Sequence, residues 1–162
     1  MNSVVGVYES HEMAVQAVRA LKKAGFSTKK ISLLSKADII NNHIHVKSHH
    51  KIEKAEMGVG LVAGTIIGIL SGVGIFAIPG LGFIYGAGAL VGAFAGFDFG
   101  IIGSGLVTIF TRMGIDEAVA LKYEKHLNEG KYLVFAQGNE KEVDHAQEVL
   151  HTSGLHMELD YN

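Results

Sequence analysis

The chain has nine histidines and no cysteine, so any metal or nucleophile chemistry would rest on imidazole, carboxylate or hydroxyl groups. Four of the histidines, His43, His45, His49 and His50, fall within one short stretch. In a strand, His43 and His45 would lie on one face, because alternate side chains share a side. Neutral imidazoles suit zinc, copper or nickel, but nothing nearby completes a recognisable donor set. The stretch reads as a solvated hairpin, and its four histidines are weak candidate metal ligands. A pH-sensitive patch is the other reading. Asp98 is the lone charged residue between Met57 and Thr111. An ionisable group in an apolar segment is a functional candidate by default. Its place near the end of a span fits an interfacial carboxylate or a helix break.

Other matches to catalytic patterns fail on context. Gly58-Val59-Gly60-Leu61-Val62-Ala63 has the letters of a dinucleotide fingerprint, but it follows the polar Lys51–Glu56 and lacks an acid about twenty residues on. Serine, histidine and aspartate are not spaced as a triad. No Gly-Lys-Ser/Thr phosphate loop and no His-Glu-x-x-His occur. The residues therefore point to no enzyme, no cofactor and no identifiable small-molecule substrate. A net charge of −2 argues against a nucleic-acid partner.

The elements that would carry these residues are unevenly composed. Met57–Thr111 holds 15 of the 21 glycines, while nearly all the charges lie in the flanks. The flanks repeat one plan. Val4–Tyr8 reads as a strand, Ser10 as the cap of a helix reaching about Lys23, Gly25 as its left-handed terminator, and Lys30–Leu34 as a second strand. In the C-terminal flank Tyr132–Ala136 reads as a strand, and Asn139 with Glu142 as a capping box. A helix then runs through Val143, Ala146, Val149 and Leu150 to Gly154, and Leu155–Leu159 is a last strand. One fixed offset maps Ser10 onto Asn139, Leu21 onto Leu150 and Gly25 onto Gly154. Two such halves predict an α+β, ferredoxin-like split βαβ sandwich with two helices on one face. A further helix is expected over Asp116–Asn128.

Between the halves, glycine recurs every fourth residue in two ladders: Gly60, Gly64, Gly68, Gly72 and Gly88, Gly92, Gly96, Gly100. Glycine costs a water-exposed helix about 1 kcal/mol relative to alanine. In a bilayer it lets helix backbones approach, so the ladders predict helix packing within a membrane. Met57–Ala77, 21 residues, would span about 30 Å as a helix. A turn at Pro79, Gly80 and Gly82 would lead to a second helix from Phe83 to Asp98. Residues 99–113 would extend that helix or form another.

The expected organisation is thus 1–54 as the first βαβ half with the histidine-rich hairpin, 55–113 as a glycine-zipper transmembrane helical hairpin, and 114–162 as a helix and the second half. Lys51, Lys54 and Arg112 would keep both termini cytoplasmic. The opening residues lack the pattern of a cleaved signal peptide.

The opening Val4-Val5-Gly6-Val7-Tyr8-Glu9-Ser10-His11-Glu12, running on through Ala24-Gly25-Phe26 to Ile31-Ser32-Leu33-Leu34, resembles the heat-induced general stress protein family of bacteria. The Pro79–Gly82 turn and Lys122-Tyr123-Glu124 resemble its membrane-associated relatives. The resemblance implies a stress-associated protein of the bacterial cytoplasmic membrane, with no catalytic residues to transfer. Lipid and further copies of the chain are the expected partners. A glycine-packed channel or membrane-remodelling oligomer, and a soluble oligomer that buries its apolar hairpins, are the alternatives.

Overall fold

The computed structural model describes residues 2–36, 73–78, 81–95 and 105–162. The fold is α+β. In chain order its elements are β1 (Asn2–Tyr8), α1 (His11–Lys23), a short 3-10 turn (Thr28–Lys30), β2 (Ile31–Lys36), β3 (Val73–Ile78), β4 (Gly82–Gly88), α2 (Leu90–Ala95), α3 (Leu106–Arg112), α4 (Glu117–Asn128), β5 (Tyr132–Gly138), α5 (Glu140–Ser153) and β6 (Glu158–Tyr161). Among the described residues six strands form one sheet in the order β3-β4-β2-β5-β1-β6, and every neighbouring pair is antiparallel.

The flanks behave as their local signals demand. The Ser10 side chain accepts a hydrogen bond from Met13 N, and Gly25 follows α1 with φ of +86°. Asn139 and Glu142 form a reciprocal capping box on α5, which Gly154 ends at φ +64°. Asp116 caps α4 through Ala118 N. The last strand lies further along than expected, at Glu158–Tyr161, where it pairs with Val4–Val7 of β1. Four flank strands adopt the order β2-β5-β1-β6, the arrangement in which two βαβ units interleave.

Period-2 alternation divides the sheet into two buried faces. On one, Val4, Tyr8, Ile31, Leu33, Tyr132 and Val134 pack beneath α1 and α5. On the other, Val5, Val7, Leu34, Leu133 and Phe135 pack against α3 and α4. The sandwich expected with helices on one face is therefore covered on both. An aromatic trio holds the second layer: Phe110 of α3 stacks on Phe135 at 5.5 Å between ring centroids, and both meet Tyr123 of α4 edge-on, at 5.8 and 6.1 Å.

The central segment departs most from the sequence reading. The helices expected over Met57–Ala77 and from Phe83 onward are replaced, within the described residues, by the β3–β4 hairpin. Val73 pairs with Ala87 and Ile78 with Gly82, while Ser32 to Lys36 of β2 pair with Gly88 to Ile84 on the other side of β4. Val, Ile, Phe and Tyr dominate these strands and favour a pleated surface. Leu81 N donates to Ile78 O at 3.1 Å, so the residues that flank the expected turn belong to strands. Gly82 and Gly88 take φ of +86° and +95°, which a right-handed helix cannot contain. Among the described residues of this segment Leu90–Ala95 is helical, with Ser32 Oγ accepting from Leu90 N at 3.0 Å, and Leu106–Arg112 forms a separate helix. Among the described residues no helix is long and apolar enough to cross a membrane. The helix expected from Phe83 is corrected to a strand over Gly82–Gly88, while Met57–Gly72, with the first glycine ladder, lies outside the described residues.

Two substitutions separate the ladder from the hairpin. A Cβ on Gly88 would run into the carbonyl oxygen of Ile31, whereas one on Gly92 would meet nothing within 4 Å. Gly88→Ala should lower stability by at least about 1–2 kcal/mol from its left-handed backbone alone. Gly92→Ala should be neutral or gain up to about 1 kcal/mol of helix propensity. Chemical denaturation of both variants checks this, and equal losses would favour a helical ladder. Phe110→Ala should cost about 3–5 kcal/mol in the same measurement, as expected for a buried core aromatic.

Candidate functional site

Within the described residues the densest group of charged side chains lies where α4 meets the edge strand β6. Lys122 and His126 are one turn apart on α4, while Glu158 and Asp160 alternate on β6, so each pair presents a common face. Lys122 Nζ lies 2.7 Å from Asp160 Oδ2 and 2.9 Å from Glu158 Oε2. His126 Nε2 sits 3.2 Å from Glu158 Oε1, and its Nδ1 is 3.8 Å from Glu129 Oε2. Beside them, Asn162 Nδ2 donates to the Tyr123 hydroxyl at 3.1 Å.

The electrostatics are those of a clamp. Burial works to lower the Lys122 pKa, but the hydrogen bonds and charges of Asp160 and Glu158 outweigh it and hold the ammonium above its ordinary value. Burial also raises the Tyr123 phenol, only partly opposed by the hydrogen bond from Asn162. Lysine here stays protonated and the phenol neutral, so neither is poised to move a proton near neutral pH. The cluster fastens the outer helix layer to the sheet edge. Among the described residues no three histidine, cysteine or acidic side chains could hold a metal ion.

A second ionic tie joins the two βαβ units. Lys30 Nζ donates to Glu142 Oε1 at 2.6 Å, and Asn139 N donates to Glu142 Oε2 at 2.9 Å. Glu142 thereby serves the α5 cap and a lysine from the opposite half. First the Lys30 hydrogen bond, then the backbone N–H of Asn139, hold its carboxyl below the usual range.

The third grouping is polar but uncharged. Tyr85 on β4 stands opposite Ser35 on β2, and Tyr132 opens β5, the strand on the other side of β2. These side chains belong to the face beneath α1 and α5, and the His11 ring meets Tyr132 edge-on at 5.8 Å. The hydroxyls of Ser35, Tyr85 and Tyr132 are buried with no hydrogen-bond partner among the described residues, as is that of Tyr8. Tyr8 differs in direction: its hydroxyl folds back over Gly6, where an added Cβ would lie 2.6 Å from it. Burial pushes the Tyr85 phenol up to about 12. It raises Tyr132 too, and the neighbouring Ser35 hydroxyl opposes that rise although the pair falls outside hydrogen-bond geometry.

The residues singled out from sequence are only partly placed. His43, His45, His49, His50, Asp98, Gly60, Gly64, Gly68, Gly72, Gly96, Gly100, Pro79 and Gly80 lie outside the described residues. Gly82 starts β4, Gly88 ends it, and Gly92 lies in α2, so these last two do not share a helix. The α4–β6 clamp was missed. Its signal was present as an i, i+4 basic pair and an i, i+2 acidic pair, but nothing local says that the two meet. Comparison with family models, with curated proteins and with solved structures finds no match.

The Glu142 arrangement has a pH signature. Because its folded-state pKa is depressed, its contribution to stability is complete above the unfolded value, about 4.3 for glutamate, and is lost as pH falls through the lower folded value. Thermal melts from pH 7 down to pH 3 should show a shallower acid loss in Glu142→Gln than in the parent. The Gln variant should also be less stable at pH 7.

Proposed function

We propose that this chain is a non-enzymatic, stress-associated bacterial protein that works by assembling, with its flanks forming a ferredoxin-like core and its glycine-rich central segment forming the contact between copies. The observation that carries this reading is the β3–β4 hairpin. It extends the sheet outward from β2, and β3, Val-Gly-Ile-Phe-Ala-Ile, is the outermost described strand on that side. That strand has neither charge nor proline, the devices that usually keep a sheet edge from pairing. The opposite edge, β6, is short and bears Glu158 and Asp160, as a protected edge should. Antiparallel pairing of β3 with its equivalent in a second copy is self-complementary and closes as a two-fold dimer.

A membrane-associated form is the second reading. It is favoured by the uncharged run Met57–Gly72, which precedes β3 and lies outside the described residues. On that reading lipid is the partner and the location is the bacterial cytoplasmic membrane. A channel formed by several copies would be a special case of it.

Two measurements divide these readings. Purified without detergent, the protein should run as a dimer or larger assembly by light scattering, and Ile75→Lys, which puts a charge into β3, should shift it toward monomer. A parent that is monomeric without detergent would defeat the assembly proposal. Retention in the membrane pellet through an alkaline carbonate wash, with solubility only in detergent, would instead select the membrane reading.

A further inference from the structure

We propose that Ser35, Tyr85 and Tyr132 hold a shared internal water that joins β4 to β2 and β5 at one end of the sheet. The three residues sit on adjacent strands and on one face, with relative exposures of 0%, 4% and 1%. None of their hydroxyls has a partner among the described residues. Buried polar atoms in folded proteins are almost always satisfied, by protein groups or by ordered water. A single orphan is tolerable; three neighbouring orphans form a pattern that asks for a common partner.

The chemistry of the row favours water over other occupants. Each hydroxyl can both donate and accept, and together they offer the two to four hydrogen bonds an internal water makes. All three groups are neutral. Burial keeps the two phenols protonated far above neutral pH, so the three hydroxyls themselves bring no charge with which to hold an ion. Tyr8 is excluded because its hydroxyl turns away over Gly6.

Such a water would act where the hairpin meets the core. Ser35 lies next to Lys36, the last residue of β2, and Tyr85 lies in the strand that the hairpin contributes. Backbone pairing already links β2 to β4, and the water would add a link between side chains spanning three strands.

The test uses the full-length protein with Tyr85→Phe, Tyr132→Phe, the double variant and Tyr8→Phe as control. Each exchange removes one oxygen and leaves the ring, so the fold should survive. Oxygen-17 magnetic relaxation dispersion of the water signal reads long-lived internal waters. The expected result is a smaller dispersion amplitude in Tyr85→Phe and in Tyr132→Phe, no further decrease in the double variant, and no change in Tyr8→Phe. The melting temperature should fall in each single variant, and by less than the sum in the double. An unchanged amplitude in both single variants would overturn the proposal. So would Phe variants that melt at or above the parent, because removing a truly orphaned hydroxyl relieves a desolvation penalty.

Discussion

Strand β2 sets the terms for the rest of the fold. Ile31 to Ser35 are buried on both faces, beneath α1 on one side and against the α3–α4 layer on the other. β5 satisfies one edge of its backbone. The other edge points into the protein, where an unpaired N–H or carbonyl is costly. β4 fills that need, and the remaining central elements follow from it. Once Ile84 to Gly88 are committed to β2, they cannot be helical, and β3 pairs along their other edge. Ser32, at the start of the same pairing, supplies the hydroxyl that receives Leu90 N at the beginning of α2.

The consequence is that the central strands β1, β5 and β2 are buried on both faces. In the simplest βαβ pair the second face could remain polar, and the flanking strands would alternate apolar with polar residues. Here β1 and β5 are apolar on both sides, through Val4 and Val5 and through Leu133 and Val134. The Phe110–Tyr123–Phe135 stack occupies the second face and draws α3 and α4 onto it. Burial of this kind, rather than the surface ion pairs, holds the layers together. Exposed pairs such as Lys125–Glu129 contribute a few tenths of a kcal/mol at most. The partly buried Lys122–Glu158–Asp160 group orients α4 against the sheet edge.

Ionic and polar contacts still decide how the pieces register. Glu142 belongs to the local capping box of α5 and also reaches Lys30 in the other βαβ unit, so one side chain couples a local signal to a long-range one. The capping box fixes where α5 begins, and the lysine fixes where that helix end sits relative to β2. Lys131 Nζ makes a comparable link to Glu9, tying the start of β5 to the turn after β1.

The flanks were legible from sequence because their signals are local. Ser10, Asn139 and Glu142, Gly25 and Gly154, and the apolar spacing of α1 and α5 each act within a turn or two of helix, and each is realised. Within the central segment, Val73–Ile78 and Gly82–Gly88 were misread because their composition satisfies two structures. Glycine every fourth residue suits close-packed helices in lipid, while Val, Ile, Phe and Tyr between glycines suit a hairpin. The sequence alone does not state that β2 has an open edge, and that edge selects the strands. Gly88 illustrates the difference: its four-residue spacing from Gly92 suggests one helix, while its positive φ and the carbonyl of Ile31 beside it belong to a strand end. The α4–β6 clamp and the hydroxyl row were hidden for the same reason. Local chemistry determined the caps, the flank helices and the alternating faces; contacts between residues distant in sequence decided the second helix layer, the hairpin and the polar clusters, because those depend on which surfaces the folded sheet leaves to be covered.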